Sequence, residues 1–258
     1  MLEVWLYSII SVVIVSLISL IAAIPMLIKK KVSDKVLLFF LSMSVGVLLS
    51  TVFIDFLPEI ASNGYTLGVS LNILLGFLVF FILEKLVHWH HNKNHKDDEH
   101  VHGHGHAYHL ASVNLIGDGV HNFLDGLVIA GAYSVNIVLG ITATISVIFH
   151  EIPQEIADFG VLLYSGMSKK RALTFNFMSA IMAVIGVIIG LLLVNKIEGF
   201  ERFIIPFAAG NFIYIAASNL LPQLHRHCKL TDTLIHISAI ILGIGIIVLV
   251  TLLSPGHM

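Results

Sequence analysis

The chain has 258 residues, of which 57% are hydrophobic and only 12% charged, too few charges to coat a water-facing surface of that size, so lipid must face much of it. A formal net charge of -2 argues against a nucleic-acid partner, which would favour a basic surface. The single cysteine, Cys228, excludes an intramolecular disulfide.

A helix that crosses about 30 Å of hydrocarbon needs about 20 mostly apolar residues, and eight such windows follow one another. The first, 4–28, is followed rather than preceded by Lys29, Lys30 and Lys31, so it reads as a transmembrane helix and not as a signal peptide. The second, 36–60, holds the unbroken run VLLFFLSMSVGVLLSTVF and ends on Asp55 and Glu59; runs of that length exclude the short alternating strands of a barrel. After the third, 67–88, comes a link over 89–109 in which His90, His91, His95, His100, His102, His104, His106 and His109 surround Asp97, Asp98 and Glu99. Such a composition predicts a flexible metal-binding tract. The remaining windows are 110–132, 136–164, 169–194, 201–223 and 232–253. All eight belong to one transmembrane domain, 1–258, that includes the His-rich loop.

Lys and Arg orient the bundle. Lys29, Lys30, Lys31, Lys35, Lys85, Lys93, Lys96, Lys169, Lys170, Arg171, Arg226 and Lys229 lie at one end, against Lys196 and Arg202 at the other. The positive-inside rule puts the twelve in the cytoplasm, with the His-rich link, and both termini outside. Helices 2 and 7 share a weak repeat: Gly46 precedes Asp55-Phe-Leu-Pro58-Glu59 at the interval by which Gly210 precedes Asn219-Leu-Leu-Pro222-Gln223. The two helices run in opposite directions, so the repeat is inverted, as in many transporters.

Ionisable groups within a span are costly and mark a site or a pathway. Helix 4 reads GDGVHNFLDG, with Asp118, His121, Asn122 and Asp125; helix 5 reads FHEIPQEIADFG, with His150, Glu151, Gln154, Glu155 and Asp158. Spacings of three and four residues put His121 with Asp125, His150 with Gln154, and Glu151 with Glu155 and Asp158 on shared faces. Lys or Arg to neutralise these acids is absent from the interior of either span, so bound cations or protons must do so. Imidazole with carboxylate suits zinc, iron, manganese and related ions rather than calcium or magnesium. Pro153 frees the carbonyl of Phe149 and predicts a kink beside the cluster.

HNFLDG at 121–126 and HEIPQEIADFG at 150–160 resemble the motifs HNFxDG and HExPHExxD of one branch of the Zrt/Irt-like (ZIP) metal transporters. The resemblance extends over nearly the whole chain and implies an all-α fold of eight helices in a 3+2+3 arrangement, a homodimer, and metal uptake into the cytoplasm through a centre that is often binuclear. Carried over by position, His121, Asp125, His150 and position 154 form a first site, and Asn122, Asp125, Glu151 and position 154 a second. Asn176, in TFNFMSA, matches a polar position near them. Asp55 and Glu59 then lie toward the external entrance, Glu155 and Asp158 toward the internal exit, and Asp118 belongs to the same pathway. Gln154 departs from the branch's His, and an amide is the weaker ligand; Asn219 and Gln223 stand where many relatives carry acids.

The expected function is transport of divalent metal, zinc first and with it Fe2+, Mn2+, Cd2+ or Co2+, by a protein that is not an enzyme. The expected setting is a bacterial inner membrane. Two other readings compete: an intramembrane zinc hydrolase, because HEIPQ resembles HExxH with Gln154 in place of the second His, and a metal sensor without flux.

Overall fold

The computed structural model describes residues 2–28, 33–96, 105–225 and 229–253, with side chains throughout these except at 34, 87–110 and 113. Eight long helices account for nearly all of it: α1 Leu2–Leu27, α2 Lys35–Ser62, α3 Leu67–Lys96, α4 Gly105–Val135, α5 Ile137–Tyr164, α6 Lys169–Lys196, α7 Phe200–Leu224 and α8 Leu230–Leu252. No strand occurs among the described residues, and the chain is an all-α multi-pass membrane bundle. Seven helices are long and apolar enough to span; the exception is α4. Its polar run at 118–125 lowers its hydropathy, and neighbours cover that run: Asn122 and Asp125 are fully buried.

The helices run longer than the hydrophobic windows where polar ends continue the hydrogen-bond ladder. α3 reaches Lys96 and α4 begins at Gly105, so both ends of the His-rich link are helical in their backbone. Residues 97–104, and every histidine side chain of the link, lie outside the described residues.

Packing follows the rule for helices that have no hydrophobic drive toward one another: small residues face inward and large apolar ones face lipid. In α1, Ser8, Ser11, Val12, Ser16, Ser19 and Ala23 are buried, on one face of a 3.6-residue period. Leu6, Ile10, Ile14, Leu17 and Ile21 are exposed. Ser11 bonds the Tyr133 hydroxyl of α4 at 2.8 Å, and Ser16 donates to the Ala180 carbonyl of α6 at 3.1 Å.

The repeat seen in α2 and α7 is structural. A Cβ on Gly46 would lie 2.3 Å from the Ile240 carbonyl oxygen of α8, and one on Gly243 2.5 Å from that of Met43. At the matching places, Gly210 would meet Ile73 of α3 at 1.8 Å and Gly76 would meet Phe207 at 2.0 Å. α2–α8 and α7–α3 are thus the same glycine-locked pair made twice. Both α2 and α7 also widen into a π turn, Thr51–Phe56 and Ile215–Leu220. In one the Leu57 N–H reaches the Val52 carbonyl; in the other, at the aligned position, Leu221 reaches Ala216. Each widening runs up to a proline, Pro58 or Pro222, whose ring would press on the carbonyl four residues back in a regular helix.

Cross-helix contacts fix the directions. Asn72 and Glu84 of α3 meet Phe203 and Tyr214 of α7 in the same order, so these helices are parallel, as are α2 and α8 through Gly46 with Ile240 and Asp55 with Thr251. α4 and α5 are antiparallel, with Asp118 beside Gln154 and Asp125 beside His150. The Lys-rich links therefore share one end, and the outer ends of α1 and α8 lie at the other.

Candidate metal centre

α4 and α5 cross at the middle of the bundle and bring four side chains together. His121 Nε2 lies 3.1 Å from His150 Nε2, 3.4 Å from Asp125 Oδ2 and 3.5 Å from Glu151 Oε1. His150 Nε2 lies 3.0 Å from Asp125 Oδ2 and 3.7 Å from Glu151 Oε1. Zinc bonds of about 2.0–2.1 Å in a tetrahedron separate ligand atoms by about 3.3 Å. Five measured edges of this tetrad fall on both sides of that value. Asp125, His150 and Glu151 are fully buried, and the His121 side chain is 13% exposed.

The direction of the lone pairs is equally telling. His150 Nδ1 lies 2.8 Å from the Ser146 carbonyl oxygen, which can only accept, so Nδ1 carries the proton. In the neutral ring Nε2 is then bare, and it points at a carboxylate oxygen and another imidazole. Neither oxygen of Glu151 has a hydrogen-bond partner. Electron pairs that converge without protons between them fit a cation.

A second group adjoins the first through Glu151: one carboxylate oxygen each from Asp118, Glu151 and Glu155 lies within 4.8 Å of the others. The amides surround it as donors. Asn122 Nδ2 donates to Asp118 Oδ1 at 3.0 Å, Gln154 Nε2 to the same oxygen at 3.3 Å, and Asn176 Nδ2 to Glu155 Oε2. Gln154, expected at the first site, presents its amide nitrogen to Asp118, and Glu151 completes the cluster with His121, Asp125 and His150. Asn122 turns its nitrogen to Asp118 and leaves Oδ1 buried without a partner. Glu155, expected toward the internal exit, has a carboxylate oxygen within 4.8 Å of those of Asp118 and Glu151.

From the tetrad a cavity of about 390 Å³ extends to the Lys-rich end, lined by Asp118, Gln154, Asp158, Glu84, Asn219 and Gln223 among others. Asp158 accepts from Asn114 at 3.1 Å, and the Tyr214 hydroxyl donates to Glu84 at 2.5 Å. Glu84 carries little signal in the sequence, because Glu84-Lys85 near a helix end looks like an interfacial charge pair. Toward the opposite end, the Phe212 ring meets His150 at 5.9 Å and stacks on Phe56 at 5.6 Å, both phenylalanines fully buried. Beyond this pair Asp55 accepts from Thr251 at 2.9 Å. Glu59, which accepts from Asn63, borders a separate pocket of about 310 Å³ with Arg202.

Pro153 does not break α5. The helix is continuous from Ile137 to Tyr164, and the Ser44 hydroxyl of α2 donates to the Phe149 carbonyl at 2.5 Å.

Among known families, the one described as ZIP Zinc transporter matches residues 2–111 and again 90–251. The chain is 33% identical to zinc transporter zipt-7.1 of Caenorhabditis briggsae over 226 residues, 73% of this chain and 58% of that protein. It is 36% identical to zinc transporter ZIP10 of Danio rerio (55% of this chain, 18% of that one) and 36% to zinc transporter SLC39A7 of Rattus norvegicus (54% and 31%). The chain thus spans less than two thirds of the length of each of these relatives.

Proposed function

This chain belongs to the ZIP zinc transporter family, and on that basis we propose that it carries divalent transition-metal ions, zinc foremost, across a membrane by way of the α4–α5 centre. The observation that carries the proposal is the tetrad of His121, Asp125, His150 and Glu151, whose donor spacing of 3.0–3.7 Å suits a tetrahedral ion. The metal is cargo here, so the centre must bind tightly enough to strip water and loosely enough to release.

Metal enters past Glu59 and Asp55, loses water onto the tetrad, and leaves along Asp118, Glu155 and Asp158 toward Glu84. The cavity on the Lys-rich side and the Phe56–Phe212 pair on the other are consistent with an inward-facing state. With the Lys-rich end cytoplasmic, both termini are outside and the net movement is uptake. Residues 1–258 act as one transporter domain, and the histidines of the link 89–109, which lie outside the described residues, are read by composition as receiving ions that leave the pore.

Selectivity follows from donor chemistry. The tetrad's two imidazoles favour zinc over magnesium or calcium, while Fe2+, Mn2+, Cd2+ and Co2+ share its mixed nitrogen and oxygen preference and compete. Asn122, Gln154 and Asn176 act beside the ligands, chiefly by orienting Asp118 and Glu155. The large apolar side chains on the outer faces of α1, α3 and α8 suit a lipid surround, and the family resemblance carries the expectation of a homodimer. A bacterial inner membrane finds no support in relatives from a nematode, a fish and a rat.

A hydrolase of the HExxH kind needs a second nitrogen at position 154; Gln154 instead donates to Asp118. Purified protein in proteoliposomes tests the proposal. Saturable zinc entry that iron, manganese and cadmium inhibit supports a carrier. Bound zinc without flux would overturn it in favour of a sensor.

A further inference from the structure

Proline at 153 creates a specific problem for the helix that carries half of the tetrad. It has no N–H, so the Phe149 carbonyl, adjacent to His150, has no donor within α5, and a bare carbonyl within a membrane is costly. Ser44, fully buried on α2, shares its one hydroxyl proton between this carbonyl at 2.5 Å and the Phe40 carbonyl of its own helix at 2.7 Å, and so supplies the missing donor. Two turns along, Thr51 Oγ1 meets Ser146 Oγ at 2.7 Å, and the Ser146 carbonyl is the one that holds the His150 ring. The other buried serines of this stretch of α2 make no such bridge, since Ser42 and Ser50 donate to Leu38 and Gly46 of α2 itself.

We propose that Ser44 is a positioning residue for the metal centre: by taking the carbonyl that Pro153 frees, it fixes the Phe149–Glu151 turn against α2 and so aims His150 Nε2 and Glu151 at the ion. It touches no metal. Its effect passes through the backbone of α5, and it rests on the tetrad being the ion's binding site.

Zinc binding by calorimetry on the purified protein, together with zinc uptake by proteoliposomes, tests this. Ser44→Ala is expected to weaken zinc binding and raise the KM of uptake about 10-fold, the scale on which loss of an outer support acts, with the maximal rate nearly unchanged. Ser44→Cys, near in size but a weak donor, falls between. Ser42→Ala, which loses only a bond within its own helix, stays like the wild type. The decisive variant is Pro153→Ala. It restores the backbone N–H that the Phe149 carbonyl lacks, so adding Ser44→Ala in that background costs less than about 3-fold. An equal loss from Ser44→Ala in both backgrounds would overturn the inference, as would a loss in Ser42→Ala of the same size. If Pro153→Ala does not fold, the gradation from Ser44 through Cys to Ala decides, and Cys binding no better than Ala overturns it. Wild-type protein that binds zinc without flux, yet binds it more weakly on Ser44→Ala, removes the transport reading and leaves this one. Intact flux with unchanged binding in Ser44→Ala removes this one alone.

Discussion

Gln154 Nε2 donates to Asp118 Oδ1 at 3.3 Å across the α4–α5 crossing. A carboxylate oxygen accepts only, so the amide presents its nitrogen to the acid and cannot present its oxygen to the same place. Gln154 is thereby the orienting partner of an all-oxygen group, Asp118, Glu151 and Glu155, that adjoins the imidazole-bearing tetrad.

Exchanging Gln154 for histidine is expected to shift preference among metals. Imidazole nitrogen favours zinc more than it favours manganese, so Gln154→His raises the ratio of zinc to manganese affinity, about 10-fold on the scale of a single ligand-supporting group. Competition of manganese against zinc uptake reads the change. An unaltered ratio would mean that position 154 is remote from the ions.

In the proposed cycle the aromatic pair above the centre serves as the outer closure. Phe56→Ala removes one of two stacked, fully buried rings, and a cysteine at position 121 in a Cys228→Ser background then becomes modifiable by a membrane-impermeant thiol reagent added outside. With Phe56 in place, the same cysteine reacts from the Lys-rich side. Equal outside labelling with and without Phe56 would show that the closure lies elsewhere.

Glu84 and Asp158 line the inner cavity and touch none of the tetrad's donor atoms in the hydrogen bonds described. Glu84→Gln and Asp158→Asn are expected to lower the maximal rate of uptake several-fold and to leave the KM for external zinc within about 2-fold, since a group on the exit path acts after capture. A KM effect as large as that of Asp125→Asn would place either residue at the binding step.

The glycine-locked pairs set the stability of the bundle. A Cβ at Gly210 would sit 1.8 Å from the Ile73 carbonyl oxygen, whereas one at Gly245 meets nothing within 4 Å. Gly210→Ala therefore costs about 3 kcal/mol, the upper range for overpacking, and Gly245→Ala changes little. Thermal unfolding in detergent compares the two, and equal midpoints would contradict the packing described.

Much of the centre was legible in the sequence because lipid makes ionisable groups conspicuous. His121, Asp125, His150 and Glu151 stand out in apolar spans, and helical spacing alone groups them by face. The repeat was also visible, from Gly46 and Pro58 against Gly210 and Pro222, although the π turns between them were not: a change of hydrogen-bond register leaves no mark in composition. What spacing could not supply was the direction of an amide. Asn122 and Gln154 read as ligands by position, and only their contacts reveal nitrogens turned to Asp118. Ser44 was hidden for a similar reason, since a serine in an apolar run bonds its own helix by default, and its second bond depends on a proline more than 100 residues away. The proximity of Glu155 to Asp118 and Glu151 was not legible either, because a one-dimensional order along α5 does not say which residues the crossing with α4 gathers.

Whether the tetrad carries the metal is decided by zinc flux into proteoliposomes of wild-type protein and of the double variant His121→Ala/Asp125→Ala, with folding checked by thermal unfolding. Saturable entry is expected in the wild type and none above empty vesicles in the variant, because two of four donors at one ion are gone. Flux that survives in a folded double variant would refute the α4–α5 route and place the path of the metal elsewhere in the bundle.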